Sequence, residues 1–435
     1  MQALLSFDQA PPFAAPARFF VTAPLFAMLA GALILSTGPE LFVSRWTAAA
    51  LATTHLLSLG FLSQVMIGAM MQILPVVAGA NLSRPLAVAR MVHLTLVCGT
   101  LLLVLGFLTF NRLAFTSAAW TLGVGLATFV GTAGRALFKV SSNNPTIDGL
   151  KLSLLGLIGT VVLGLLLALS LSESWPLPLP QLTALHFGWG VIGWGFSLLL
   201  AVALVVVPMF QLTPAYPKWL AQTFCPLSLL LLVLQTIANL AGWSTVADVL
   251  ASSLALGVAL FAMETFRLQR RSARARFDAS QQFWRLAMVC MLAACVLWLG
   301  LLWLPMLADQ PIGPMLCGVL IFVGGFMSVM SGMLYKIVPF LVWLHLQNLC
   351  RAGEMAPNMN KVIGAKQIEW QLRVHLGALA FLLAAALSPS WFAYPAGAAL
   401  LVANGGLLHN MLSALLFYRR HAARLMAARE DGASR

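Results

Sequence analysis

The run HLLSLGFLSQVMIGAMMQILPVVAGA, His55 to Ala80, carries the pattern on which the reading of the chain turns, and it contains no Asp, Glu, Lys or Arg. A helix needs about 20 apolar residues to cross the hydrocarbon of a bilayer, so this run is long enough to span one. Its spacing, His55-x4-Gly60-x7-Gly68-x6-Pro75, returns twice. GWGVIGWGFSLLLAVALVVVP places Gly188, Gly193, Ala201 and Pro208 in the same register, and VLIFVGGFMSVMSGMLYKIVP does so with Val319, Gly324, Gly332 and Pro339. Small residues let helices approach closely in lipid, and a proline loosens a helix near one end.

Apolar runs outside these three predict twelve spans, near 19–36, 48–74, 91–110, 116–137, 152–171, 183–208, 222–241, 246–266, 284–306, 314–340, 373–388 and 391–417. The three related runs then fall on spans two, six and ten. Repeats four spans apart predict an all-α polytopic membrane protein, with three four-helix arcs around a pseudo-threefold axis. Spans two, six and ten are expected to face inward. Composition agrees: 61% of residues are hydrophobic and 9% charged, too few charges to cover a soluble domain of this length. Residues 1–435 read as a single membrane domain, since loops 267–283 and 341–372 are too short to fold alone.

The net charge of +13 is explained by its placement. With the spans joined in order, all of the 25 Lys and Arg except Arg45 and Arg112 fall on one side. The positive-inside rule makes that side cytoplasmic and both termini internal. A multi-pass protein of a bacterial inner (cytoplasmic) membrane is therefore expected. The basic run Arg267–Arg276 then lies beside anionic lipid, and no nucleic-acid partner is implied. The six cysteines form no CxxC pair and read as buried thiols. The first 18 residues lack the basic and small-residue features of a cleavable leader. Gly123, Gly125, Gly131 and Gly134 in span four suggest close helix packing.

A histidine buried in a membrane is expected to be partnered or functional. His55 lies on the order of 12–15 Å below the outer edge of span two, at about 1.5 Å per residue, and His186 lies near the outer end of span six. The two are the leading candidates for metal ligands, with His55 as an axial ligand to haem iron. His409 in span twelve is a weaker candidate, and His345 and His375 read as solvated interfacial residues. Only Glu264 among the acidic residues is expected inside a span, so the relay carboxylates of a proton pump are missing. Lys336 beside Tyr335 reads as a lysine reaching to the inner interface. No metalloprotease, nucleotide-binding or serine-nucleophile motif is present, and no catalytic residue is assigned.

The segment His55–Ala80 resembles the second helix of haem-copper oxidase catalytic subunits, which carries a low-spin haem ligand ahead of a Gly, a Pro and a final Gly-Ala. More loosely, the chain is similar to the NnrS-type haem proteins. GGFMSVMSGMLYKIVPFLVW, 324–343, resembles the tenth helix of the same subunits, and His186 falls where that family has its first copper ligand. The resemblance implies a twelve-helix, three-arc fold, a b-type haem as the main cofactor and copper as a second. It also implies a redox partner or another membrane subunit beside the lipid bilayer. The departures are equally definite. The two tenth-helix histidines fall on Cys317 and Val319, and span seven, CPLSLLLLVLQTIANLAG, has no His-His pair. A complete oxygen-reducing site is therefore absent, and the ligand opposite His55 would come from Cys317, Met327, Met330 or His186. The expected function is electron transfer or small-gas binding at haem. The alternative is a cofactor-poor transporter or assembly factor for haem or copper that keeps the fold.

Overall fold

The computed structural model describes residues 9–433 apart from 141–143, 275, 309 and 352–353. Most of the N-terminal stretch read for a leader, residues 1–8, lies outside the described residues. Among the described residues, twelve helices are long and apolar enough to cross a membrane: α1 Ala14–Val43, α2 Ala48–Ala78, α3 Pro85–Thr109, α4 Arg112–Leu137, α5 Pro145–Glu173, α6 Leu179–Gln211, α7 Lys218–Leu240, α8 Ser244–Arg270, α9 Ala279–Trp303, α10 Ile312–Gln347, α11 Ala365–Leu387 and α12 Pro389–Ala427. Large apolar side chains stand exposed in mid-helix, such as Trp120 and Val296, as a lipid-facing surface requires. The protein is an all-α polytopic membrane protein.

Helix ends overrun the apolar runs because polar end turns reach past the hydrocarbon. Helix α5 starts at Pro145, not near 152, so that Lys151 lies within it and donates to the Val140 carbonyl at 3.3 Å. Helix α10 continues to Gln347 and α11 begins at Ala365, so the loops expected at 267–283 and 341–372 shrink to 271–278 and 348–364. Side-chain caps fix several starts: Thr47 accepts from the Ala50 amide, Asn111 from Ala114, Asn144 from Thr146 and Asp278 from Gln281.

Packing repeats every four helices. Helix α1 lies along α2, α5 along α6 and α9 along α10, while α12 returns to α1 and closes the ring. The reason lies in the small residues. A Cβ at Gly60 would meet Phe26 of α1, one at Gly193 the Gly156 Cα of α5, and one at Gly324 Cys290 of α9. One register further, Gly68 meets Phe19 and Phe20, Ala201 meets Gly149, and Gly332 meets Phe283. The small residues thus seat the first helix of each arc. Helices α2, α6 and α10 themselves are among the most buried of the bundle.

A second repeated feature has no sequence signature of its own. Each of α2, α6 and α10 widens into a π-helical segment, at Leu56–Ser63, Trp189–Phe196 and Leu320–Met327. All three begin one residue after the register start, at His55, Gly188 and Val319. In the last two, Ser197 and Ser328 donate to the carbonyls five residues back, Ile192 and Val323. Such wide turns inside helices are concentrated at functional sites. Pro75, Pro208 and Pro339 then lie inside the inner halves of the same helices.

Of the four glycines noted in α4, Gly125 packs against Thr95 of α3, while Gly131 and Gly134 face open space. The close-packing expectation therefore holds for the outer half of α4 only.

At the basic end, Lys336 of α10 pairs with Asp278 at 2.6 Å, and Arg274 reaches the same carboxylate at 3.1 Å. Lys336 is thus ion-paired and does not simply reach for the interface; its neighbour Tyr335 accepts a hydrogen bond from Asn410 of α12. Burial alone would raise the Asp278 pKa, but the Lys336 ammonium, the Gln281 amide and Arg274 outweigh it and hold the carboxyl below the ordinary carboxylate value. Its stabilising contribution is therefore whole at neutral pH and fades as acid protonates it, below that ordinary value. Asp278→Asn keeps the cap and loses the pairs, so it is expected to flatten this acid limb of the melting temperature. Asp278→Ala also loses the cap and should cost about 1 kcal/mol more. Thermal melts of both variants across acidic pH check this.

Candidate functional site

Three of the four helices around the site belong to the outer halves of α2, α5 and α6; the fourth is α3. His55 ends the regular first turns of α2, immediately before its wide segment, and His186 sits three residues before the wide segment of α6. The two imidazole rings lie nearly parallel, 15° apart, with centroids separated by 6.4 Å. Both are surrounded by protein and partly exposed.

Each ring is held through Nδ1. His55 Nδ1 lies 2.8 Å from the Leu51 carbonyl, and His186 Nδ1 lies 3.0 Å from the Thr160 carbonyl of α5. A carbonyl can only accept, so both rings carry their proton on Nδ1 and leave a lone pair on Nε2. Neither Nε2 has a hydrogen-bond partner among the described residues. A metal-ligating histidine is oriented by such a bond at its other nitrogen.

Helix α5 builds the seat for His186 with three residues on one face, four apart. Gly156 admits the α6 backbone at Gly193, Thr160 supplies the carbonyl, and Gly164 leaves room for the ring. A Cβ at Gly164 would come within 2.9 Å of His186 Cε1. On the far side, Phe107 of α3 covers His55, with ring centroids 5.1 Å apart. These residues were missed in the sequence. The spacing Gly156-x3-Thr160-x3-Gly164 was visible there, but nothing showed that it faces a histidine.

The remaining candidates lie elsewhere. Cys317, Met327 and Met330 are on α10, whereas the contacts of the two rings are with α2, α3, α5 and α6. Met327 sulfur takes a long contact of 4.0 Å from the Asn404 amide, and Met330 is packed in the core. Cys317 lines a cavity that Leu51 and Thr54 of α2 and Phe187 of α6 also border. His409 is exposed on α12 while Leu407 and Met411, two residues to either side, are buried; its helical phase turns it away from the bundle. His375 is also corrected: it is 2% exposed and bonded to Ser328 at 2.8 Å, so it is a core histidine and not a solvated one. Glu40, Asp148, Glu173, Asp248 and Glu369 join Glu264 within the described spanning helices, near their ends.

The two rings are neighbours in a stacked arrangement, with centroids 6.4 Å apart. Among the described residues no three His, Cys, Asp or Glu gather to hold a metal. Two protein ligands suit iron that brings its other four in a porphyrin, or two-coordinate copper(I), rather than a four-ligand zinc site. The donor type, two imidazoles each with an unpartnered Nε2 among the described residues, is one that a haem iron takes. No protein-family model matches the chain, and comparison with curated proteins finds no match.

Proposed function

We propose that the chain is a haem-binding membrane protein for electron transfer or small-gas binding, with His55 and His186 as the two axial imidazoles of a b-type haem. The observation that carries this reading is the pair itself: two neighbouring, nearly parallel rings, each tied by Nδ1 to a main-chain carbonyl. When bound, such a group supplies one-electron exchange or a gas-binding iron. The chain's own part is to fix both rings, exclude water with Phe107 and apolar neighbours, and keep both Nε2 atoms unprotonated. A bacterial inner membrane, with the basic loops inside, is the setting proposed from the charge asymmetry.

Pyridine haemochrome and metal analysis of purified full-length protein test this directly. Stoichiometric haem b with a low-spin spectrum is expected; a colourless, metal-free protein from haem- and copper-replete cells would sink it. The second reading is copper(I) held by the same two imidazoles. It is favoured by the close cover of Phe107 on one side and Gly164 on the other. Copper without haem in the same analysis would select it.

A further inference from the structure

A cavity of about 250 Å³ lies among the outer ends of the helices, bounded mainly by α1, α2, α6, α9 and α10. Its walls are aliphatic and aromatic, with Phe42, Trp46, Phe187, Trp298 and Phe322 among them. Gly318 leaves an open notch in the α10 wall, since a Cβ there meets nothing within 4 Å. Leu51 and Thr54 of α2 border the cavity too, so an occupant would sit within a helical turn of His55.

Arg45 also lines this cavity and is itself exposed. The positive-inside bias accounts for basic residues at the opposite end and gives no reason for this one. Its guanidinium lies over the Trp46 ring, 4.9 Å from the centroid, and makes no ion pair among the described residues. Deeper in the wall, the Thr53 hydroxyl is buried without a hydrogen-bond partner. An apolar cavity with one cation at its rim that makes no ion pair among the described residues fits a ligand with an apolar body and a single anionic head.

We propose that this cavity binds a lipophilic monocarboxylate of medium chain length, its carboxylate on Arg45 and its chain among the aromatic walls. One cation and a volume of this size suit a single chain, not a two-chain phospholipid. The proposal does not depend on whether a metal occupies the histidine pair.

The test uses full-length protein in zwitterionic nanodiscs, titrated with ω-bromodecanoate or the uncharged ω-bromodecanol. Bromine quenches tryptophan on contact, and Trp46 and Trp298 line the cavity. Saturable quenching by the carboxylate is expected at roughly tenfold lower concentration than by the alcohol, the gain from a charge-assisted contact. Arg45→Gln should remove that preference, and Gly318→Leu should remove the saturable phase for both compounds. Trp298→Phe should lower its amplitude. Equal, non-saturating quenching by both compounds in the wild type would show bilayer partition only and overturn the proposal. So would a preference that survives Arg45→Gln, or saturable binding that survives Gly318→Leu.

Discussion

His55→Ala is expected to yield a folded protein that has lost its visible absorbance, with bound haem reduced to a tenth or less of wild type. Removing a ligand outright must cost more than disturbing a partner that only orients one, and the latter already costs about 10–100-fold in affinity. The fold should tolerate the change, because His55 seats no neighbouring helix; it contacts Phe107 and His186 and bonds within its own helix. His186→Ala should do the same, and the double variant should be no worse than either, since the two act as one site. Absorption spectra and haem-to-protein ratios at matched melting temperatures decide it. A His55→Ala protein with an unchanged spectrum would remove the pair from consideration. Gly164→Ala is the graded version: its Cβ pushes on the His186 ring without touching backbone, and about tenfold weaker cofactor retention is expected.

Gly156→Leu is the substitution expected to damage the fold most. A Cβ at Gly156 would lie on the Gly193 carbonyl carbon and oxygen, atoms that no rotamer change can move. Helices α5 and α6 would have to part along their tightest crossing. Overpacking typically costs about 1–3 kcal/mol, and a backbone-to-backbone clash belongs at or above the top of that range. The same movement would draw the Thr160 carbonyl from His186 Nδ1, so stability and cofactor should be lost together. Gly131→Leu is the control, because that position of α4 faces open space and should be nearly silent. Thermal denaturation in detergent, followed by helicity, separates the two. Near-equal melting temperatures would show that the α5–α6 crossing is not as close as described.

Much of the architecture was legible in the residues. Twelve apolar runs gave twelve helices, and the register linking Gly60, Gly193 and Gly324 marked three equivalent helices before any coordinates. The direction of that register was not legible. Periodicity says which residues share a face, not which neighbour the face meets, so small residues that seat α1, α5 and α9 read equally well as facing an axis. The pairing of His55 with His186 was open to sequence reasoning because both fell at outer ends of related helices. Thr160 and Gly164 were hidden because a main-chain acceptor and an absent side chain leave no chemical signature. His409 misled because its neighbours Asn404 and Asn410 are polar and buried, while two residues of helical phase carry it outward.

The wide segments of α2, α6 and α10 act as phase adjusters between the tip of each helix and its proline-bearing stem. A single extra residue is enough to open a regular helix into such a turn. Closing 56–63 to ordinary pitch with all its residues kept would swing His55 by roughly 100° about the helix axis, out of line with His186, whereas deleting one residue at the same time would restore its phase. Because the adjuster sits directly beneath the imidazole, the orientation of the tip is decoupled from the packing of the stem. One shared scaffold can thereby present a histidine, a glycine or a valine at three equivalent tips without disturbing what lies below.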